Sequence, residues 1–245
     1  MKNLELRRTF SGVKKTPSPL NLPPIELLEK NLEAIEGRIA RACARAGRRE
    51  SSVQLVAVTK KHPPELIRLA YSLGLRHFGE NYAQELRDKQ TALSDLEGIR
   101  WHAIGPLQTK NAKYVAKAGH YFHALENWDV AEELSRRRVG APLECFIEVN
   151  VSKEASKAGL NHHDAEAFLS KVKTLPQLKV VGLMTMPPLT DDPESARLPF
   201  RALHALAHRL DLPALSMGST QDFEVAIEEG ATHVRVGTAL FGERS

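Results

Sequence analysis

The sequence contains only two cysteines, which excludes a fold held together by disulfides. Cys43 and Cys145 lie far apart, each within an apolar segment, and neither belongs to the cysteine and histidine spacings of a zinc site. A disulfide framework needs several cysteines at short intervals, as in small secreted domains. We therefore expect both residues to be reduced thiols in the core, and we predict no metal site.

Long hydrophobic runs are also missing. No segment approaches the roughly 20 apolar residues of a transmembrane helix, and the N-terminus lacks the apolar stretch of a secretory signal. Residues 7–11 faintly resemble an organelle transit peptide, but the proline and lysine content of the N-terminal segment favours a flexible basic arm. The sequence thus predicts a cytoplasmic protein without a membrane partner.

The body of the chain has no excess of either charge. The formal net charge of +4 comes from residues 1–24, whose basic side chains outnumber the acidic ones: Lys2, Arg7, Arg8, Lys14 and Lys15 stand against Glu5. Residues 25–245 carry equal numbers of basic and acidic side chains. This balance argues against a nucleic-acid partner. We predict a separate arm over residues 1–24 and a single domain over residues 25–245.

Apolar runs and amphipathic stretches alternate through that domain. Residues 25–46 have apolar side chains at steps of three and four and predict a first helix, which ends at Gly47. Strand patterns follow at 53–58, 75–79, 99–104, 121–125, 143–149, 178–184, 215–217 and 232–236. Helical patterns separate them at 65–72, 80–93, 108–118, 128–138, 162–174 (with Asn161 as N-cap), 192–210 and 221–229. Eight units of this kind predict an α/β fold, a single (β/α)8 TIM barrel with an extra N-terminal helix.

The first predicted strand ends in two lysines. Residues 53–58 are apolar on both faces, which is typical of a parallel strand covered on both sides. Lys60 and Lys61 follow, and then Pro63 and Pro64 stop the pairing and open a helix. Barrels build their sites where strands end, so either lysine is a candidate amine nucleophile. The alternation of side chains along a strand does not decide between them, and a solvated lysine is the competing interpretation.

The last two predicted strands end in turns suited to an anion. Ser219 and Thr220 follow the seventh strand and precede a helix, and Gly237 and Thr238 occupy the equivalent place after the eighth. Backbone N–H groups at helix N-termini bind phosphates, and barrels commonly bind phosphate after strands seven and eight. An ordinary helix cap is the alternative interpretation of the first turn.

An arginine is predicted to lie between the lysine and these turns. Period-two alternation in the last strand puts His233 and Arg235 on one face and the valines on the other. If the valines pack on helices, Arg235 faces the barrel interior, where it needs an anion, an acceptor or water. A ligand with an aldehyde at one end and a phosphate at the other satisfies the lysine and both turns. Pyridoxal 5'-phosphate (PLP) has this shape, with Arg235 available to its ring nitrogen.

Several motifs share an order along the chain with one family. They are Val56-Ala-Val-Thr-Lys60, Phe78-Gly-Glu-Asn-Tyr82, Trp101-His-Ala-Ile-Gly-Pro-Leu-Gln108, Ser156-Lys-Ala-Gly159, Gly182-Leu-Met184, Leu215-Ser-Met-Gly218 and Val234-Arg-Val-Gly-Thr238. The sequence resembles the pyridoxal phosphate homeostasis proteins, relatives of the N-terminal barrel domain of alanine racemase. The resemblance covers roughly residues 25–242.

The resemblance implies a role for each candidate residue. Lys60 is then the lysine that forms an aldimine with PLP, Asn81 lies near the cofactor, and Arg235 meets the ring nitrogen. Gly237 and Thr238 hold the phosphate together with a hydroxyl from Ser219 or Thr220, between which the family pattern does not decide. Members of the family act as carriers or regulators of PLP. The implied partners are PLP and PLP-dependent apoenzymes, and the implied assembly is a monomer or a weak dimer.

Three functions compete for this sequence. The favoured one is a PLP-binding homeostasis protein without a substrate of its own, because only nine residues follow Val236 and they supply no second catalytic base. The alternative is an amino-acid racemase or lyase that uses His102 or His233 as a base. A third is an interaction module that docks through its basic arm.

Glu80 and Glu85 are expected to form salt bridges at the barrel rim.

Overall fold

The computed structural model describes residues 22–151, 158–188 and 191–242. The predicted basic arm lies outside these ranges except for residues 22–24, and so do Ser156 and Lys157 of the fourth family motif. Leu22 packs against the core as the chain enters the first helix. The described ranges contain all eight predicted strands and the candidate site residues.

Eight parallel strands close into a barrel. The strands are β1 (Gln54–Val58), β2 (His77–Glu80), β3 (Arg100–Ala103), β4 (Tyr121–Leu125), β5 (Leu143–Asn150), β7 (Leu178–Met184), β8 (Ala214–Ser219) and β9 (His233–Val236). Each strand pairs with its neighbour, and β1 also pairs with β9, so the sheet has no free edge. A two-residue strand, β6 (Leu160–Asn161), pairs only with β5. The predicted TIM barrel is confirmed.

Helices cover the outside of the barrel. They are α1 (Ile25–Arg45), α2 (Pro64–Ser72), α3 (Ala83–Ala92), α4 (Ala112–Ala118), α5 (Trp128–Arg137), α6 (Ala165–Val172), α7 (Arg197–Arg209), α8 (Phe223–Glu228) and α9 (Thr238–Phe241). Their buried faces pack on the strands and form the main core, in which Cys43 and Cys145 are buried, free thiols as expected. Every described helix is too short or too polar to cross a membrane.

The extra helix α1 braces the two helices that follow the last barrel strands. It packs across α8 and α9 with a buried stripe at helical spacing: Leu28, Leu32, Ile35, Ile39, Ala42 and Cys43. Asn31 donates its side-chain N–H to the carbonyl of Leu240 in α9 (3.0 Å). Arg38 pairs with Glu224 of α8 (2.8 Å). The helix therefore supports both predicted phosphate turns from behind.

The barrel interior is filled by side chains of the inward-facing register. Val56 of β1 lies beside Arg235 of β9 in the strand pairing, so the two share a face. His102 of β3 stacks on Tyr121 of β4 with ring centroids 4.3 Å apart, and the rings of His233 and Phe146 form a T-shaped pair with centroids 5.0 Å apart. The interior is thus polar and aromatic, whereas the layer between strands and helices is aliphatic.

Candidate functional site

The predicted lysine lies in a tight turn at the C-terminal end of β1. The strand ends at Val58, and the N–H of His62 donates to the carbonyl of Thr59 (3.0 Å), which closes a turn around Lys60 and Lys61. Lys60 is partly buried in this turn. Lys61 has a φ of 64°, a left-handed conformation that costs a non-glycine residue roughly 1–2 kcal/mol. The surrounding structure must therefore hold the turn in place.

A buried cluster of Thr59, Glu80, Glu85 and Lys89 lies beneath this turn; we call it the Lys89 cluster. Lys89 is only 4% exposed, and its ammonium donates to the carbonyl of Thr59 (2.6 Å) and to Oε1 of both glutamates (2.8 and 2.7 Å). The Thr59 hydroxyl donates to the same Glu80 oxygen (2.5 Å). Burial raises the pKa of Glu80 to about 7, against the lowering by Lys89. Both predicted salt bridges are present, each with Lys89, but the Glu80 side chain is fully buried and not at the exposed rim.

The turn after β8 carries the two candidate hydroxyls. Gly218 has a φ of 92°, and a Cβ there would lie 2.6 Å from that of Ala226 in α8, so the turn sits directly on the helix. The backbone N–H and the hydroxyl of Ser219 both donate to Oδ1 of Asp222 (2.6 and 3.0 Å). In the part of the chain that the structure describes, the Thr220 hydroxyl forms no hydrogen bond. The Ser219 hydroxyl is therefore engaged by Asp222, whereas the Thr220 hydroxyl is available to a ligand.

The turn after β9 approaches the end of β1. A Cβ on Gly237 would lie 3.3 Å from the carbonyl oxygen of Val58, two residues before Lys60. Ser219 at the end of β8 is the strand-pairing partner of Arg235. The two turns and the lysine therefore come from adjacent strands and share one end of the barrel. The structure brings together the elements that the sequence predicted to form one site.

Arg235 points into the barrel and is only 7% exposed. Its guanidinium donates to the hydroxyl of Ser216 (2.6 Å) and to the carbonyl of Thr185 (3.2 Å). Within the described ranges no carboxylate forms a salt bridge with it. Burial lowers the pKa of Arg235 to about 10, with Asp222 and Glu148 acting against this change. The side chain is thus a buried cation that has donors left for a further acceptor.

Three histidines form a hydrogen-bonded file that ends at Ser216. His77 Nδ1 lies 2.9 Å from His102 Nε2, and His102 Nδ1 lies 2.8 Å from His123 Nε2. His123 Nδ1 then lies 2.7 Å from the Ser216 hydroxyl, which accepts from Arg235. Burial lowers the pKa of His102 and of His123 well below 6.5. Burial therefore disfavours the charged form of both rings, and both nitrogens of each ring are engaged.

Asn81 offers an acceptor at the same end of the barrel. Its Oδ1 is buried and has no hydrogen-bond partner. Its backbone is packed against Gly105, where a Cβ would lie 2.4 Å from the Asn81 carbonyl oxygen. Buried amide oxygens are rarely left unpaired, and each such atom calls for an explanation such as a ligand or water. Asn81 therefore fits a position next to a bound molecule.

Comparisons with known proteins agree with this geometry. The model of the alanine racemase N-terminal domain family matches residues 31–245. A pyridoxal phosphate homeostasis protein of Aquifex aeolicus is 43% identical over 223 residues, which cover 88% of this chain and 97% of that protein. A protein of the same name from Pseudomonas aeruginosa is 41% identical and covered to 96%. The chain belongs to the pyridoxal phosphate homeostasis protein family.

Solved structures agree with this family membership. PipY of Synechococcus elongatus, solved with PLP bound, is 34% identical, has a TM-score of 0.77, and is covered completely by 88% of this chain. The alanine racemase of Corynebacterium glutamicum is only 17% identical, with a TM-score of 0.66, and 61% of it is covered. The racemase therefore supports the fold alone, while PipY is similar to this chain in both sequence and structure.

Some residues at this end of the homeostasis-family barrel escaped sequence analysis. Glu148 of β5 is 6% exposed, and burial raises its pKa to about 7. Nothing in the alternation of β5 marked it, because the strand is buried on both faces. Lys89 left a readable signal: with Leu86 and Leu93 it continues the apolar stripe of α3 at steps of three and four. A lysine at such a position must be buried.

Proposed function

We propose that this protein binds PLP and takes part in PLP homeostasis, without a substrate of its own. The observation that carries the proposal is the grouping of Lys60, Arg235 and the two turns at one end of a closed barrel. The family membership adds support, because relatives covered almost completely carry the homeostasis name and PipY was solved with PLP bound. We assign this function to a single domain over residues 25–245.

Lys60 is the residue that we propose to bind the cofactor covalently. Its nitrogen attacks the aldehyde carbon, a carbon–nitrogen double bond forms, and the carbonyl oxygen leaves as water. The support is the turn at the end of β1, which lies next to Gly237 through Val58. Lys61 instead has the left-handed conformation, and its N–H donates to Glu85 (2.5 Å). Because Glu85 holds the backbone at Lys61, we assign the reactive amine to Lys60.

The phosphate is assigned to the turns after β8 and β9, with Gly237, Thr238 and the Thr220 hydroxyl as donors. Thr220 is preferred to Ser219, because Asp222 already accepts from both donors of Ser219. Backbone N–H groups at such turns bind phosphate through their partial positive charge. The Asp222 carboxylate beside this position opposes the phosphate charge.

The ring nitrogen is assigned to Arg235, and Asn81 to the neighbourhood of the ring. A guanidinium that remains charged keeps the nitrogen unprotonated, because two cationic donors repel each other. An unprotonated ring is a poor electron sink for carbanion chemistry, which supports binding without turnover.

The positions of the two candidate bases also argue against a racemase. His102 has both nitrogens in the histidine file, and His233, which contacts Thr232, begins β9 at the opposite end of the barrel.

Borohydride reduction tests the proposal directly. We expect the purified protein to take up PLP with the absorbance of an imine, and borohydride to fix the label on Lys60. The Lys60→Ala variant should bind PLP without a reducible band, because its phosphate contacts remain but its amine is gone. A Lys61→Ala variant is the matched control and should still be labelled. Labelling of a residue other than Lys60, or none, would overturn the assignment.

Thr220 and Ser219 can be separated by substitution. We expect Thr220→Val to weaken PLP binding about tenfold, because a hydrogen bond to a charged group contributes about 1.5–3 kcal/mol. Ser219→Ala should change it less than threefold, since the Ser219 hydroxyl is already bound to Asp222. Titration with PLP measures both. A larger loss for the serine variant would reverse the assignment.

The partners that we propose follow from this role. Apoenzymes that require PLP are the recipients, and the cytoplasm is the compartment in which they are met. A monomer or weak dimer suits a carrier whose site is formed within one chain. Transfer of PLP from the loaded protein to an apoenzyme, compared with transfer from free PLP, tests whether delivery occurs.

A further inference from the structure

The Lys89 cluster contains a buried cation, and burying a charge costs desolvation free energy. Lys89 is enclosed by β1, β2 and α3, and its ammonium uses all three donors on Thr59, Glu80 and Glu85. Glu80 Oε2 is buried without a hydrogen-bond partner. Buried ion pairs of this kind are often no better for stability than apolar residues of similar size. Stability alone therefore does not explain the cluster.

The contacts of the cluster bracket Lys60 on both sides along the backbone. Before it, Thr59 is held at its carbonyl by Lys89 and at its hydroxyl by Glu80 (2.6 and 2.5 Å). After it, the N–H of Lys61 donates to Glu85 (2.5 Å), whose same oxygen accepts from Lys89 (2.7 Å). The strained backbone of Lys61 is thus fixed by a charged acceptor.

We propose that Lys89 is a positioning residue for Lys60: it ties both flanking peptides to one ammonium and so holds the reactive amine towards the cofactor. The inference rests on the proposed function of Lys60. Effective concentration explains the benefit, because an amine held in one orientation forms its bond with a bound aldehyde at a lower entropic cost. Lys89 itself touches neither the aldehyde nor the phosphate in this arrangement.

Two ligands that share a phosphate separate positioning from general stability. PLP carries the aldehyde that reacts with Lys60, whereas 4-deoxypyridoxine 5'-phosphate has the same ring and phosphate but no aldehyde. A positioning defect weakens only the binding of PLP. A general disturbance of the barrel weakens the binding of both ligands alike.

The variants are chosen so that folding does not decide the result. Lys89→Met removes the ammonium but leaves the fully buried Glu80 carboxyl without its cation. Lys89→Met combined with Glu80→Gln therefore removes both buried charges. Glu85→Gln is a milder second variant, since its side chain is partly exposed and its amide oxygen still accepts from Lys61. Lys117→Met, on an exposed position of α4, is the matched control. Circular dichroism and thermal unfolding check that each variant is folded.

We expect the double variant to bind PLP at least tenfold more weakly and to form the imine more slowly. Glu85→Gln should change PLP binding in the same direction by about threefold, and Lys117→Met should change nothing. Binding of 4-deoxypyridoxine 5'-phosphate should stay within twofold throughout. Equal losses for both ligands, or no loss for either, would overturn the inference. If Lys60→Ala binds PLP as tightly as the wild type does, the proposed role of Lys60 is refuted instead.

Discussion

Acidification from pH 6.5 to 4.5 is expected to lower the stability of the barrel by several kcal/mol. The cause is a group of histidines with lowered pKa values in the folded chain: His77, His102, His120, His123 and His233. Burial is the largest cause for each, and it takes His77 and His233 to a pKa of about 4. In the unfolded chain each pKa is near 6.5. The histidines therefore take up protons when the chain unfolds at any pH between 6.5 and 4.5.

The sign follows from proton linkage. The histidine contribution to stability is fully present above pH 6.5 and falls as the pH drops, because the unfolded histidines bind protons that the folded ones do not. Glu80 and Glu148 act in the opposite direction, since their pKa values of about 7 lie above the unfolded value of 4.5. The unfolded state therefore binds up to about three protons more than the folded state, five on the histidines against two held by the folded carboxyl groups. Each proton contributes about 1.4 kcal/mol per pH unit, so the slope is at most about 4 kcal/mol per unit.

Denaturant unfolding of the cofactor-free protein at several pH values measures this slope. His77→Asn should reduce it by up to about 1.4 kcal/mol per pH unit, because one titrating group is lost from the file. His208→Asn is the control, since His208 is exposed on α7 and should leave the slope unchanged. A stability that is flat between pH 6.5 and 4.5 would show that the interior histidines are charged in the folded protein.

The second large effect is expected from Arg235→Met, which should move stability and cofactor binding in opposite directions. Burial lowers the pKa of Arg235 from its ordinary value to about 10, a free-energy cost on the order of 3 kcal/mol at about 1.4 kcal/mol per pKa unit. Methionine removes this cost, while the Ser216 hydroxyl and the Thr185 carbonyl lose their donor. The cofactor-free variant should therefore be about 1–2 kcal/mol more stable than the wild type.

The same variant should bind PLP about 10- to 100-fold more weakly. A hydrogen bond from a charged donor contributes about 1.5–3 kcal/mol, and the ring nitrogen would lose it. Denaturant unfolding without cofactor and titration with PLP are the two measurements. Arg209→Met, at an exposed position of α7, is the control for a lost arginine. A variant that loses both stability and affinity would show that Arg235 supports the fold rather than the cofactor.

Sequence analysis predicted the fold well because the alternation of patterns is physical. A parallel strand buried on both faces must be apolar throughout, and β4 and β7 have the predicted bounds. Several helix starts were wrong, because α4 and α7 begin at Ala112 and Arg197, four and five residues later than predicted. In addition, α6 begins at Ala165 rather than His162, and Asn161 is not its cap. The reason is tertiary, because Leu160 and Asn161 pair with β5 as a short strand before the helix begins.

The candidate site was only partly readable from the sequence. The alternation in β9 correctly placed Arg235 inside the barrel, because that strand has a consistent inward face. It could not choose between Lys60 and Lys61, since the strand ends at Val58 and a turn then breaks the alternation. Nor could it foresee that Asp222 occupies the donors of Ser219, because that bond depends on the conformation of the turn after β8.

The bracing of α8 and α9 by α1 has a consequence for synthesis on the ribosome. Lys60 is made early, but the strand that closes the barrel against β1 and the turns beside it are among the last described residues to emerge. Contacts between such distant parts of a chain form late and slowly. A partly translated chain therefore exposes Lys60 without the turns that we propose to complete its pocket, so we expect PLP to bind only after the last barrel strand has folded.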